Sequence, residues 1–194
     1  MPASRSPLSP QLSTLLDEIE AIDVRASQLV DGLQPGEWER RPSPKSWSAA
    51  ECLIHLNLTA EQMLPRLTAA VGAALEAGYT GDGPFKSGFL GGLLAWLIEP
   101  PYQSRFATTK PFEPAAIAPP EKVLAVFREG NAALSRIIQD ATGVDLNRTR
   151  FVSPFNEKVT YTAYAAMRIV NAHSRRHLWQ AERALAALRA GARR

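Results

Sequence analysis

The chain has one cysteine in 194 residues, Cys52. A single thiol closes no internal disulfide, which excludes the stapled frameworks of small secreted domains and fits a reducing compartment. Cys52 stands three residues before His55, so a ligand or redox role has to be weighed, but a buried cysteine acting as a small apolar side chain is the favoured reading. Long apolar runs are missing too. The longest, FLGGLLAWLI from Phe89 to Ile98, is ten residues, half of the roughly 20 a helix needs to cross a bilayer. The first residues, MPASRSPLSP, contain no apolar stretch of the kind a secretory signal requires, so a cytoplasmic protein without membrane association is expected. Nor is there an excess of one charge. The formal net charge is +3 and aromatics are 8% of residues. The basic side chains are scattered instead of forming a stripe with interleaved aromatics, so no nucleic-acid partner is expected. Only the end, RALAALRAGARR, concentrates arginine, and it reads as a frayed helix end.

What is present is ordinary for a globular protein: 45% apolar and 21% charged residues, in a chain long enough to bury one substantial core. One domain over residues 1–194 is expected, with its core at about 9–190. Helical periodicity dominates. Leu12, Leu15, Leu16, Ile19, Ile22, Ala26, Leu29 and Val30 recur at three and four, which predicts a helix from Ser9 to about Asp31, with Ser9 as N-cap, Pro10 at the first helical position and Gly32 in the left-handed C′ position. A Pro- and Gly-rich loop, GLQPGEWERRPSPKSW, follows. The capping box Ser48-Ala-Ala-Glu51 then opens a second helix, with Trp47 where a hydrophobic staple residue stands. Pro65 is expected to kink that helix before it ends near Gly78.

From Tyr79 to Pro120 the periodicity is lost, and a short helix is expected across Leu90 to Glu99, covering a site or a partner surface. The next long helix starts near Pro120 with Val123, Leu124, Phe127, Leu134, Ile137, Ile138 and Ala141 on one stripe and stops at Gly143; Gly130 inside it marks a close helix contact. The last runs from about Thr160 to Ala190. No strand-like alternation is visible. The fold class that follows is all-α: a four-helix bundle with a long irregular connection between helices 2 and 3.

All three histidines stand where a metal site would use them. His173 and His177 are four apart, so on a helix they lie one above the other on one face, amid Ala166, Ile169, Val170, Ala181 and Ala184. His55 falls two turns into the second helix. Imidazoles in an apolar stripe need partners. A shared ion is one solution, and hydrogen bonds inside an ordinary core are the other. Three protein ligands would leave a coordination position open, as in catalytic sites. No general base stands out. Glu51 is one turn before His55, but the capping box gives it a structural role. Gln180 lines a pocket or is solvated, Tyr161 and Tyr164 are expected in the core, and Arg175 and Arg176 on a solvated face.

The chain resembles the DinB-like family of metalloenzymes. The resemblance is carried by Trp47-Ser48-x-x-Glu51-x-x-x-His55-Leu56, by Phe112-Glu113-Pro114, by VSPFNEKVT from Val152 to Thr160, and by His173-x-x-x-His177-Leu178. It extends from about Leu12 to Leu188. The chain departs from the family at Ser174, where relatives often have aspartate. The resemblance implies a four-helix bundle holding a divalent metal on His55, His173 and His177. It also implies kinship with thiol S-transferases that use bacillithiol or mycothiol, and with a mycothiol-dependent isomerase.

The function expected first is therefore a metal-dependent S-transferase acting on a small molecule with a low-molecular-weight thiol. Metal-dependent hydrolysis is the alternative chemistry, and a non-enzymatic metal- or small-ligand-binding bundle the alternative class. A third class is an interaction protein using Phe89 to Ile98, the segment for which a homodimer contact is expected. Zinc or nickel is the expected ion; iron, copper or manganese are further candidates by softness and availability.

Overall fold

A computed structural model describes residues 7–101 and 108–191. Residues 1–6, residues 102–107 of the Tyr79–Pro120 connection, and residues 192–194 lie outside the described residues. Five α-helices and one small sheet make up the fold among the described residues: α1 (Pro10–Asp31), α2 (Ala49–Glu76), α3 (Gly88–Ile98), α4 (Pro120–Asp140), β1 (Arg150–Val152), β2 (Thr160–Thr162) and α5 (Ala163–Gly191). The protein is mostly helical, as its periodicity predicts. None of its described helices is long and apolar enough to cross a membrane.

The helix starts follow local chemistry. Ser9 accepts from the Leu12 amide with Pro10 at the first position. At α2 both halves of the capping box form: Ser48 accepts from the Glu51 amide and Glu51 accepts from the Ser48 amide. Gly78 and Gly143, at φ 66° and 78°, end α2 and α4 in the left-handed region, where a side chain would be strained.

Gly32 does not. Its φ is −86°, and its amide bonds back to the Gln28 carbonyl. The end of α1 is thus capped by its own backbone, and Arg189 of α5 adds a tertiary contact by donating to the Gly32 carbonyl. Nor is the arginine-rich end frayed as far as Gly191, because Arg189 also pairs with Glu37 at 2.7 Å. α2 runs unbroken through Pro65, which is solvent-exposed.

Among the long helices, α2 packs against α4 and α5, and α1 packs against the same two. α3 lies on α5, so tightly that a Cβ on Gly91 would sit 2.5 Å from that of Ala165. Gly130 of α4 faces Ala60 of α2 in ordinary contact, 3.5 Å from a virtual Cβ. Arg175 of α5 pairs with Glu18 of α1 at 3.0 Å and Glu99 beyond α3 at 2.6 Å. It therefore ties three elements together and does not belong to a solvated face.

The hairpin of β1 and β2 corrects the expectation of no strands. Its register pairs Phe151 with Tyr161, both buried, with ring centroids 5.4 Å apart. Three-residue strands are too short for an alternation to register.

Two apolar clusters form the core. One, toward the hairpin, contains Leu12, Met63, Leu134, Phe151 and Val170. The other, toward the loop after α1, contains Ile22, Trp38, Leu53, Phe127 and Leu178. His55 follows Leu53 and precedes Met63, while His173 and His177 lie between Val170 and Leu178. The histidines therefore fall at the seam between the clusters.

Candidate metal centre

α2 and α5 bring the three histidines together from 118 residues apart in sequence, with His55 Nε2 3.2 Å from His173 Nε2. The ring centroids of His55 and His177 are 4.5 Å apart, as are those of His173 and His177. The ligand nitrogens of all three lie within 4.8 Å of one another. His55 and His177 are buried and His173 half-buried.

One ring is oriented by backbone. His55 Nδ1 donates to the Phe112 carbonyl at 2.7 Å, which leaves the Nε2 lone pair turned toward His173. A backbone carbonyl on the outer nitrogen is the usual support of a metal-binding imidazole. Phe112 ends a 3₁₀ turn, Lys110–Phe112, in the connection between α3 and α4. The carbonyl is invisible to a reading of side chains, although Phe112-Glu113-Pro114 is among the motifs singled out above. Trp47 packs on the same rings, 5.0 Å from His55 and 5.8 Å from His177. It is a wall of the site as well as a residue at the mouth of α2.

Burial first, and neighbouring positive charge after it, favours the neutral form of the rings. Burial lowers the pKa of His55, and Arg176 lowers it further against the opposing bond to Phe112. His173 and His177 are pushed well below the ordinary histidine range, first by burial, then by the neighbouring rings and Arg176. Neutral imidazole is the form that binds a metal. Two further observations suit an ion. All three donors are nitrogens. Two nitrogens 2.0–2.1 Å from one tetrahedral ion stand about 3.3 Å apart, close to the observed 3.2 Å. His177 Nδ1 has no hydrogen bond of good geometry among the described residues, with Gln180 the neighbouring polar group that acts on this ring.

The rest of the expected set divides. Cys52 is fully buried, and burial pushes its thiol far up, so it is a core residue outside the cluster. Glu51 borders the site but is committed. Burial raises its carboxyl pKa, yet Arg41 and the Ser48 amide together outweigh this and hold it below the usual range. Its oxygens accept from Arg41 Nε at 2.8 Å and from Ser48 N at 2.8 Å. Such a carboxylate is a poor base. Tyr161 and Tyr164 are buried in the core, as expected. Gln180 lines the cleft over the rings.

Arg176 corrects the sequence reading. It is 8% exposed, lines the cleft and acts electrostatically on all three histidines. Three residues after His173 is the adjoining helix face, so the spacing itself held the signal.

The rings open onto a cleft of ≈1310 Å³, larger than the usual small-molecule site. Leu94 and Ile98 of α3 are among its walls, so the inner side of that helix covers the site. The DinB superfamily model matches residues 18–181, a span that includes all three histidines. No curated protein and no solved structure matches the chain.

Proposed function

The chain belongs to the DinB superfamily, and from that premise we propose that it is a metal-dependent enzyme that transfers a low-molecular-weight thiol to a small electrophilic substrate. His55, His173 and His177 are the proposed ligands of one divalent ion, zinc or nickel first. The proposed scaffold is a single domain of four bundled helices, α1, α2, α4 and α5, with α3 added at the cleft. The cytoplasm is the proposed compartment. The observation that carries the reading is the convergence of three neutral imidazoles at a cleft large enough for two reactants.

Held by His55, His173 and His177, a divalent ion would keep its full positive charge on neutral nitrogen ligands and would supply the charge that favours a thiolate over a thiol. The remaining roles belong to the chain. Phe112 fixes the tautomer of His55 through its carbonyl. Trp47 holds the plane of His55 and His177. Arg176 adds positive charge beside the rings, which favours an anionic sulfur over a neutral one. Leu94, Ile98 and Phe155 give one side of the cleft an apolar wall.

The test is the visible spectrum of cobalt-substituted protein. Adding a low-molecular-weight thiol is expected to produce a sulfur-to-metal charge-transfer band that grows with pH, in Cys52→Ala as in the parent. If no thiol perturbs the metal, while water-dependent turnover of an ester or amide depends on His55, hydrolysis replaces thiol transfer.

A further inference from the structure

Phe155 stands in the turn between β1 and β2 and is 44% exposed. Exposed apolar side chains are common and by themselves mean little. Among the described residues, however, Phe155 is the one large exposed apolar side chain that also lines the cleft. Phe89 and Trp96, which are more exposed, belong to the outer side of α3 and take no part in that lining.

The turn holds Phe155 in place. The Ser153 amide donates to the Val159 carbonyl at 2.9 Å, and the Val159 amide donates to the Asn156 carbonyl at 2.9 Å. The buried Ser153 accepts the Phe155 amide through its hydroxyl at 3.3 Å, and the Asn156 side-chain oxygen accepts the Lys158 amide at 3.0 Å. On its inner side the Phe155 ring lies on the ring of the buried Phe112, with centroids 4.4 Å apart and planes at 31°. Phe112 is also the residue whose carbonyl holds His55, so the ring and the histidine cluster share one support. One face of Phe155 is thus spent on Phe112, and the remainder of the ring is presented to the cleft.

That remainder lies beside the histidines. The Phe155 centroid is 6.4 Å from that of His173, with the rings edge to face. Trp47 takes the contacts to His55 and His177. Aromatic rings attract one another at centroid separations of about 4.5–7 Å. The space within stacking reach of Phe155 therefore overlaps the space within contact of His173, and a short substituent on a ring held there comes to lie over the cluster. A platform fixed before binding costs little ordering when a ligand arrives.

We propose that the substrate of this cleft carries an aryl ring, which stacks on Phe155 and brings its reacting substituent over the three histidines. Phe155 is then the residue that selects the substrate. This deepens the proposed function, since it takes the histidine cluster as the reacting centre, but the test reads the ring alone and requires neither metal nor turnover.

Aryl recognition and plain apolar burial predict opposite orders for 2-phenylethanol and 2-cyclohexylethanol. The saturated ring has the larger apolar area, so burial alone favours it, whereas stacking adds about threefold to tenfold for the aromatic one. Calorimetric titration of both alcohols is run on the protein as purified, and proton NMR follows the ring protons of its three histidines after chelator treatment. 2-Phenylethanol is expected to saturate one site about threefold or more tightly than 2-cyclohexylethanol and to shift the His173 signal by its ring current. Phe155→Leu is expected to abolish the preference and Phe155→Trp to keep it, while Phe89→Leu, outside the cleft, changes neither affinity. Phe155 belongs to neither apolar cluster of the core, so both of its variants should keep the helical circular-dichroism signal. Binding of 2-cyclohexylethanol as tight as that of 2-phenylethanol, a preference indifferent to Phe155→Leu, no shift of any histidine signal, or no saturable binding of 2-phenylethanol each overturns the proposal. An aryl preference beside His173 in a protein that takes up no metal leaves this inference standing and removes the metal reading alone. One bound ion without an aryl preference does the reverse.

Discussion

At the scale of single residues, the chain separates charges that hold structure from charges that face the cleft. Glu37 is the clearest of the first kind. Its carboxyl is lowered to about 2, chiefly by its hydrogen bonds to Arg189, against an ordinary value of 4.5. A depressed folded pKa adds stability above the unfolded pKa, and that stability is lost as pH falls through the folded one. The Glu37–Arg189 contribution should therefore be complete above about pH 4.5 and fade toward pH 2. Denaturant unfolding of the parent and Glu37→Gln should show the variant less stable at pH 7 and the gap closing by about pH 2. A gap that stays constant over that window would mean that Glu37 acts through packing alone. Residue identity also explains what a sequence reveals. His55, His173 and His177 were legible because a rare residue type recurs at helical spacing. Arg176 was not, because it is adjacent to Arg175, and the two read as one solvated pair although they face different neighbours. The Phe112 carbonyl was hidden for a deeper reason: every residue has one.

Among the elements, α3 matters most for function, because it walls the cleft while resting on the helix that carries two histidines. Gly91 permits its approach to α5, and a Cβ on the adjacent Gly92 would have, among the described residues, Ser87 at 3.8 Å as its neighbour. The two glycines should therefore respond oppositely to one methyl group. Gly91→Ala is expected to destabilise by about 1–3 kcal/mol through overpacking. Gly92→Ala is expected to be neutral or stabilising by about 0.5–1 kcal/mol through helix propensity. Thermal melts of both variants decide this, and equal effects would mean that α3 is not seated as described. The starts of α1 and α2 were legible because capping is local chemistry, set by Ser9 and by Ser48 with Glu51. The conformation at the end of α1 was not, because Gly32 keeps a negative φ while its carbonyl is held by Arg189 from far along the chain. The hairpin was missed because the pairing of Phe151 with Tyr161 is a tertiary event with little local pattern.

For the whole molecule, two surfaces define the account: the cleft, and the outer side of α3. On the latter Phe89 is 88% exposed and Trp96 59%, with Leu90 and Leu93 also open to solvent. The helix contains no charged residue, so its outer side can serve both halves of a two-fold contact. The homodimer expected from the sequence is kept as a proposal on that ground. Light scattering should show a concentration-dependent dimer in the parent and a monomer in Phe89→Asp. A monomer at all practical concentrations of the parent would remove the proposal and leave α3 as a wall of the cleft only.

The central claim is that the three histidines form one divalent metal site, and the most direct test is elemental analysis of freshly purified protein beside its His55→Ala, His173→Ala and His177→Ala variants and the triple variant. About one divalent ion per chain is predicted for the parent, with sharply reduced content in each single variant and an unchanged helical circular-dichroism signal. A triple variant that carries as much metal as the parent would contradict the account.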